Sequence, residues 1–138
     1  MVVAYYCPEP LSSRAERFVR AQVRPSISDL TEVEFVSALF RKIQRQEILK
    51  AVADLVVAQF STHLEANLYT RVPLERRHYK LARDLIGRFS VSLRTLDALH
   101  LAVAASENLR LVTADSSLAR SAKAVGLETV WLRVGGET

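Results

Sequence analysis

The sequence is poor in the residues that mark several large function classes. Only four of its 138 residues are glycine, and none falls in a G-x-G-x-x-G, P-loop or G-x-S-x-G spacing. A backbone cradle for phosphates and a serine-hydrolase elbow find no material here, because both need glycine where the chain turns tightly at the site. The single cysteine, Cys7, excludes an internal disulfide framework and fits a reducing cytosol. Nothing around Cys7 marks it as a nucleophile, so it reads as core filler. His63 and His78 are isolated, and no His/Cys spacing suggests zinc. No apolar run approaches the roughly 20 residues of a membrane span. The N-terminus lacks the basic region and cleavage site of a signal peptide. A soluble, cytoplasmic protein is expected.

What is present is globular in kind: 49% hydrophobic and 25% charged residues, in a length suited to one domain. The net charge is +4, with a pI near 9.6, and the excess is concentrated. Between Arg71 and Arg94 lie Arg71, Arg76, Arg77, Lys80, Arg83, Arg88 and Arg94, against Glu75 and Asp84 alone. Such a run suits a polyanion, most commonly nucleic acid. A solvated helix face would carry the same charge.

In chain order, MVVAYYC runs into Pro8-Glu9-Pro10, which no helix continues through. Capping-box spacing at Ser13 and Glu16 predicts a helix to about Gln22, and 26–28 is a short strand candidate. The same spacing at Asp29 and Glu32 opens a helix with Val36, Leu39, Phe40 and Ile43 as its apolar stripe. A long helix over 47–64 carries Leu49, Val52, Val56, Phe60 and Leu64 on one face. Together the two stripes offer a homodimer surface. A strand over 69–72 ends at Pro73. A helix over 75–86 follows, with Tyr79, Ala82, Leu85 and Ile86 inward and Gly87 as its cap. The stretch RTLDALHLAVAA, Arg94 to Ala105, is then a helix without a polar face, hence buried. After it come a strand over 109–113, a helix over 116–125 closed by Gly126, and a strand over 129–132. Alternating strands and helices predict an α/β fold with a mainly parallel sheet, as one domain over 1–132 with a flexible tail over 133–138.

Two acids stand out. Asp97 lies near the start of the apolar helix, where it serves either as a ligand or as a partner of the helix dipole and cap. Asp115 follows Leu111-Val112-Thr113 at the C-terminal edge of a strand, where open α/β sheets bind ligands. It is also a good N-cap for the next helix, and the two roles are compatible. Buried carboxylates are costly unless a positive charge sits between them, which suggests a divalent metal. Glu32 is accounted for as a capping residue. Glu34 is not, although a solvated glutamate would look the same. His100, three residues after Asp97, is expected to hydrogen-bond Asp97 or backbone rather than a metal.

These residues resemble the PIN-domain nucleases, most closely VapC-type toxins of prokaryotic toxin–antitoxin pairs. TLDALHLAVAA followed by LRLVTAD and preceded by SDLTEVEFVSAL carries the likeness, in matching order over nearly the whole chain. It implies a three-layer α/β fold and a metal-dependent endoribonuclease using Mg²⁺ or Mn²⁺. The family pattern S-x-L-x-x-x-E falls on Ser28, Leu30 and Glu34, which selects Glu34 over Glu32. The acid of the family's L-D-A-L helix falls on Asp97, that of its T-x-D strand end on Asp115, and the hydroxyl there on Thr113. On this likeness Asp97, Asp115 and Glu34 hold the metal and Thr113 bonds a water or carboxylate. Arg94, Arg76, Arg77 and Lys80 hold the RNA backbone. An antitoxin of VapB type and a homodimer are the implied partners.

One departure matters. The family's first strand, ending in an acid, has no counterpart before MVVAYYCPEP, which already matches the first helix and its turn. Either that strand lies upstream of Met1, or the gap is filled otherwise, for instance by a partner's segment. Without it, a catalytically impaired module that dimerises and binds an antitoxin is the alternative expectation.

Overall fold

Among the described residues the helices are the long elements, and the strands between them are only a few residues long. A computed structural model describes residues 6, 12–21, 24–88, 90–133 and 136–137. The elements run α1 (Ser12–Ala21), β1 (Ser26–Ser28), α2 (Asp29–Gln44), α3 (Lys50–Glu65), β2 (Thr70–Val72) and α4 (Arg76–Gly87). Then come α5 (Thr95–Ser106), β3 (Leu111–Thr113), α6 (Ser116–Ala124), β4 (Thr129–Arg133) and β5 (Gly136–Glu137). Cys7 and Pro8-Glu9-Pro10 lie outside the described residues. No described helix is long and apolar enough to cross a membrane. The expected α/β class with parallel strands is what forms. The chain divides into two compact units, residues 2–72 and 73–138.

In the first unit β1 pairs in parallel with β2, Ser26 opposite Thr70 and Ser28 opposite Val72. The connection between them is α2 and α3, as a parallel pair requires a long crossover. The core is Ile27, Phe35, Leu39, Ala53, Val56, Phe60 and Tyr69. The expected α2 stripe is therefore rotated: Phe35 and Leu39 point inward, while Val36 and Phe40 are exposed. Leu49 and Val52 are likewise outside the α3 core face. Tyr6 stands edge-on to Phe35 and Phe60. Its hydroxyl is hydrogen-bonded to His63 Nδ1 (2.6 Å) and to the Tyr69 hydroxyl (2.9 Å).

In the second unit β3 pairs in parallel with β4, Leu111 opposite Thr129 and Thr113 opposite Trp131. The tail is not featureless, because β5 pairs antiparallel with the end of β4. Leu85, Leu101, Leu118 and Ala122 form the core, from α4, α5 and α6. Helix α5 buries Ala98, Leu99 and Leu101 to Ala104, as an all-apolar helix must. The strands do not form one sheet among the described residues, but two, ordered β1-β2 and β3-β4-β5.

The scarcity of glycine shows at the helix ends. Four helices stop in the same way, with paired bonds back onto the last turn: Gln46 and Glu47 after α2, Asn67 and Leu68 after α3, Asn108 and Leu109 after α5, Gly126 and Leu127 after α6. This arrangement needs a left-handed residue after the cap. Gly126 supplies it at φ 85°, but Gln46, Asn67 and Asn108 adopt φ 60°, 56° and 53°. Asparagine tolerates that region; glutamine has no such compensation, and a side chain there costs roughly 1–2 kcal/mol. Gln46→Gly is expected to raise stability by about 0.5–1 kcal/mol, glycine's extra unfolded-state freedom offsetting part of the gain. The urea midpoint reads it directly. Gly87, by contrast, is the last residue of α4 and not a cap beyond it, with Arg88 closing the helix in ordinary right-handed geometry.

Candidate functional site

The acids are held by local structure of different kinds. Asp115 is the N-cap of α6, its Oδ1 accepting from the backbone N–H of Ser117 (2.8 Å) and of Leu118 (3.1 Å). Thr113 is buried, and its Oγ1 accepts the Asp115 N–H at 3.1 Å. Strand end, hydroxyl and cap thus form one turn that fixes the Asp115 backbone. The side chain itself is exposed, not buried as the apolar strand suggested. It lies two residues past the end of β3, at the start of α6. Both capping bonds go to Oδ1, so capping does not use Oδ2.

Asp97 sits in the first turn of α5, half-buried, with Arg94 as an N-cap that gives no side-chain capping bond. A negative charge in the first turn meets the positive end of the helix dipole, a gain of about 0.3–1 kcal/mol. The segment leading into α5 is tied to α6, since Ser121 Oγ donates to the Ser92 carbonyl at 3.4 Å. Asp97 and Asp115 therefore belong to neighbouring elements of one unit. Asp97 and His100 both have interaction partners.

Glu34 lies on α2 in the other unit, half-buried and also engaged. The α2 cap is Ser28, not Asp29: its hydroxyl accepts from Thr31 N at 3.3 Å. Glu32 accordingly does not cap. Its Oε1 takes Arg71 Nε at 2.8 Å and Nη2 at 2.7 Å, so Glu32 is structural by another route. Arg71 is spent in that pair.

The basic run is sorted by its partners. Arg77 is paired with both Glu75 and Glu107, whereas Arg76, Lys80 and Arg94 are exposed. Beneath Arg77 lies His78, which sequence reasoning left isolated and which is fully buried. Its Nδ1 accepts the Glu75 N–H at 2.9 Å, which places the ring proton on Nε2, 3.2 Å from Glu107 Oε1. Glu107 ends α5, so this contact fastens α4 to α5. A Glu75-x-x-His78 spacing at a helix start was the available signal, but its acceptor lies 29 residues on.

Hydrogen bonds from His78 and Arg77 hold the Glu107 carboxyl below the ordinary value of 4.5. A depressed folded-state value means stability present above that ordinary value and lost as pH falls through the folded one. Glu107→Gln is expected to lower stability at pH 7. The difference from the parent then shrinks below about pH 4.5 and vanishes once Glu107 is protonated in the folded parent. Urea melts at several pH values measure it; a gap unchanged at low pH would dissociate Glu107 from this role.

Carboxylate oxygens suit a hard divalent cation. Among the described residues, however, no three His, Cys, Asp or Glu side chains are grouped to hold a metal ion. The donor chemistry fits such an ion, while the described residues group too few donors for one. A family model, the PIN domain, matches residues 1–124. Proteins with this domain are generally nucleases, often toxins of toxin–antitoxin systems, and typically use divalent metals. No curated protein matches the chain.

Proposed function

The chain belongs to the PIN-domain family, and on that premise we propose that it is a metal-dependent endoribonuclease of VapC type, the toxin of a toxin–antitoxin pair. The observation that carries this reading is the placing of Asp97 and Asp115 at two helix starts of one unit, with α6 bonded through Ser121 to Ser92 in the segment before α5. Both acids sit where helix dipoles favour negative charge. Mg²⁺ or Mn²⁺ would supply charge neutralisation at the scissile phosphate and a more acidic water.

The protein's own groups divide the remaining work. Asp97 and Asp115 present carboxylate oxygens, and Glu34 is the third acid by likeness to the family pattern. Thr113 is a positioning residue, its hydroxyl holding the turn that carries Asp115. Arg94, Arg76 and Lys80 take the RNA phosphates. Arg77 does not, being paired to two carboxylates already. For partners, Val33, Val36 and Phe40 on α2 and Leu49, Val52 and Leu55 near the start of α3 are all exposed. Exposed apolar side chains at helical spacing suit a second copy or a VapB-type antitoxin.

The shortage of grouped donors among the described residues favours a second reading, a catalytically impaired module that dimerises and binds an antitoxin without cutting RNA. Incubating the purified chain with single-stranded RNA, with Mg²⁺ or Mn²⁺ and with a chelator, separates the two. Metal-dependent cleavage that follows the protein through purification supports the nuclease. RNA left intact under every metal supports the impaired module.

A further inference from the structure

Helix α4 was expected to turn Tyr79 inward; it does the reverse. Its core side is His78, Ala82 and Leu85, at i, i+4 and i+7. Tyr79 is 53% exposed, on the opposite side with Arg76, Lys80 and Arg83, all exposed. These four, at i, i+3, i+4 and i+7, make one stripe along the helix. The Tyr79 ring thus stands outside the core that His78, Ala82 and Leu85 complete, in line with three cations.

We propose that this stripe binds single-stranded RNA, with the Tyr79 ring stacking on an unpaired base while Arg76, Lys80 and Arg83 follow the phosphates. The proposal rests on RNA being the substrate and adds the residue that engages a base. Three cations share the stripe with the ring; of the acids flanking it, Glu75 is paired with Arg77 and Asp84 meets Arg83. Arg83 meets only Asp84, at 3.4 Å between exposed groups, a pair worth little in water. Among the described residues Arg76 and Lys80 enter no ion pair. An apolar protein partner would have to strip water from these charges without replacing it, which is costly. A polyanion neutralises them, and a nucleobase covers the ring. The strand must be single, because paired bases present no open face and the A-form major groove is too narrow for a helix. Arg77 lies outside the stripe, held by Glu75 and Glu107, which fixes the first turn of α4 and hence the stripe's position.

The test is fluorescence anisotropy of a short labelled RNA with chelator present, so that binding is read without cleavage. Tyr79→Ala is expected to weaken single-strand binding about tenfold with the parent's salt dependence and the parent's melting curve. Tyr79→Phe keeps the ring and binds as the parent does. Lys80→Ala weakens binding and lowers the slope of log affinity against log salt by about 0.7. The proposal is overturned if the parent does not bind RNA or prefers the duplex. It is equally overturned if Tyr79→Ala binds like the parent, or if Tyr79→Phe loses as much as Tyr79→Ala. A separate cleavage reaction keeps the two readings apart. Cleavage unchanged in Asp97→Asn removes Asp97 from the cleavage chemistry and leaves the stripe standing. Asp97-dependent cleavage with an indifferent Tyr79 removes the stripe alone.

Discussion

Asp97→Asn is expected to lower metal-dependent RNA cleavage at least about a hundredfold, the usual cost of losing one electrostatic or ligand group at such a centre. The substitution keeps the side chain's size and one carbonyl oxygen, and removes its charge. Because Asp97 is in the first turn of α5, the change also removes its favourable meeting with the helix dipole, about 0.3–1 kcal/mol. That is small beside the burial of α5, whose residues Leu99 and Leu101 to Ala104 remain packed. A folded protein with lost activity is therefore the expected combination. Single-turnover cleavage and a thermal melt, taken on the same preparation, measure both parts. Parental cleavage rates in the variant would mean that Asp97 serves the helix and not the chemistry.

Local signals placed most helices within a residue or two, because caps are written locally: Asp115 before α6 and Gly126 after it are readable without any tertiary knowledge. Facing was less legible. Helix α2 has a broad apolar arc, Phe35, Leu39, Val36, Phe40 and Val33 in order around it, so periodicity alone does not say whether Phe35 or Phe40 is inside. Packing against Phe60, 4.2 Å between ring centroids, chooses Phe35. On α4 the polar-looking His78 is buried and the aromatic Tyr79 exposed, because Glu107 gives the imidazole a partner that hydropathy cannot anticipate. Glu32 does not cap as its spacing suggests but pairs with Arg71, 39 residues away, a partner that local spacing does not reveal. Among the candidate acids, Asp97 and Asp115 could be marked from residue context, as polar positions in apolar elements. Glu34 could not; only likeness to a family pattern separates it from any other helical glutamate.

Asp115 offers the sharper dissection, because its structural and chemical duties can be separated by choice of substitute. Serine is about as good an N-cap as aspartate, and its hydroxyl can accept from Ser117 N or Leu118 N in place of Oδ1. Asp115→Ser is thus expected to stay within about 0.5 kcal/mol of the parent, losing only the dipole contribution of the charge. Its cleavage rate is expected to fall at least about a hundredfold, since no carboxylate remains. Asp115→Ala removes cap and carboxylate together, adding a stability loss of about 1 kcal/mol to the same loss of rate. The pair of variants therefore has equal activity and unequal stability if Asp115 does both jobs. A serine variant that still cleaves at the parental rate would reduce Asp115 to a cap. Equal melting of all three proteins would show that the bonds to Ser117 and Leu118 do not set the stability of α6. Thr113→Val probes the same turn from below: it deletes the hydroxyl that accepts the Asp115 N–H and leaves both cap and carboxylate in place. Its rate loss, expected to be smaller than that of either Asp115 variant, measures how far cleavage depends on holding that carboxylate still.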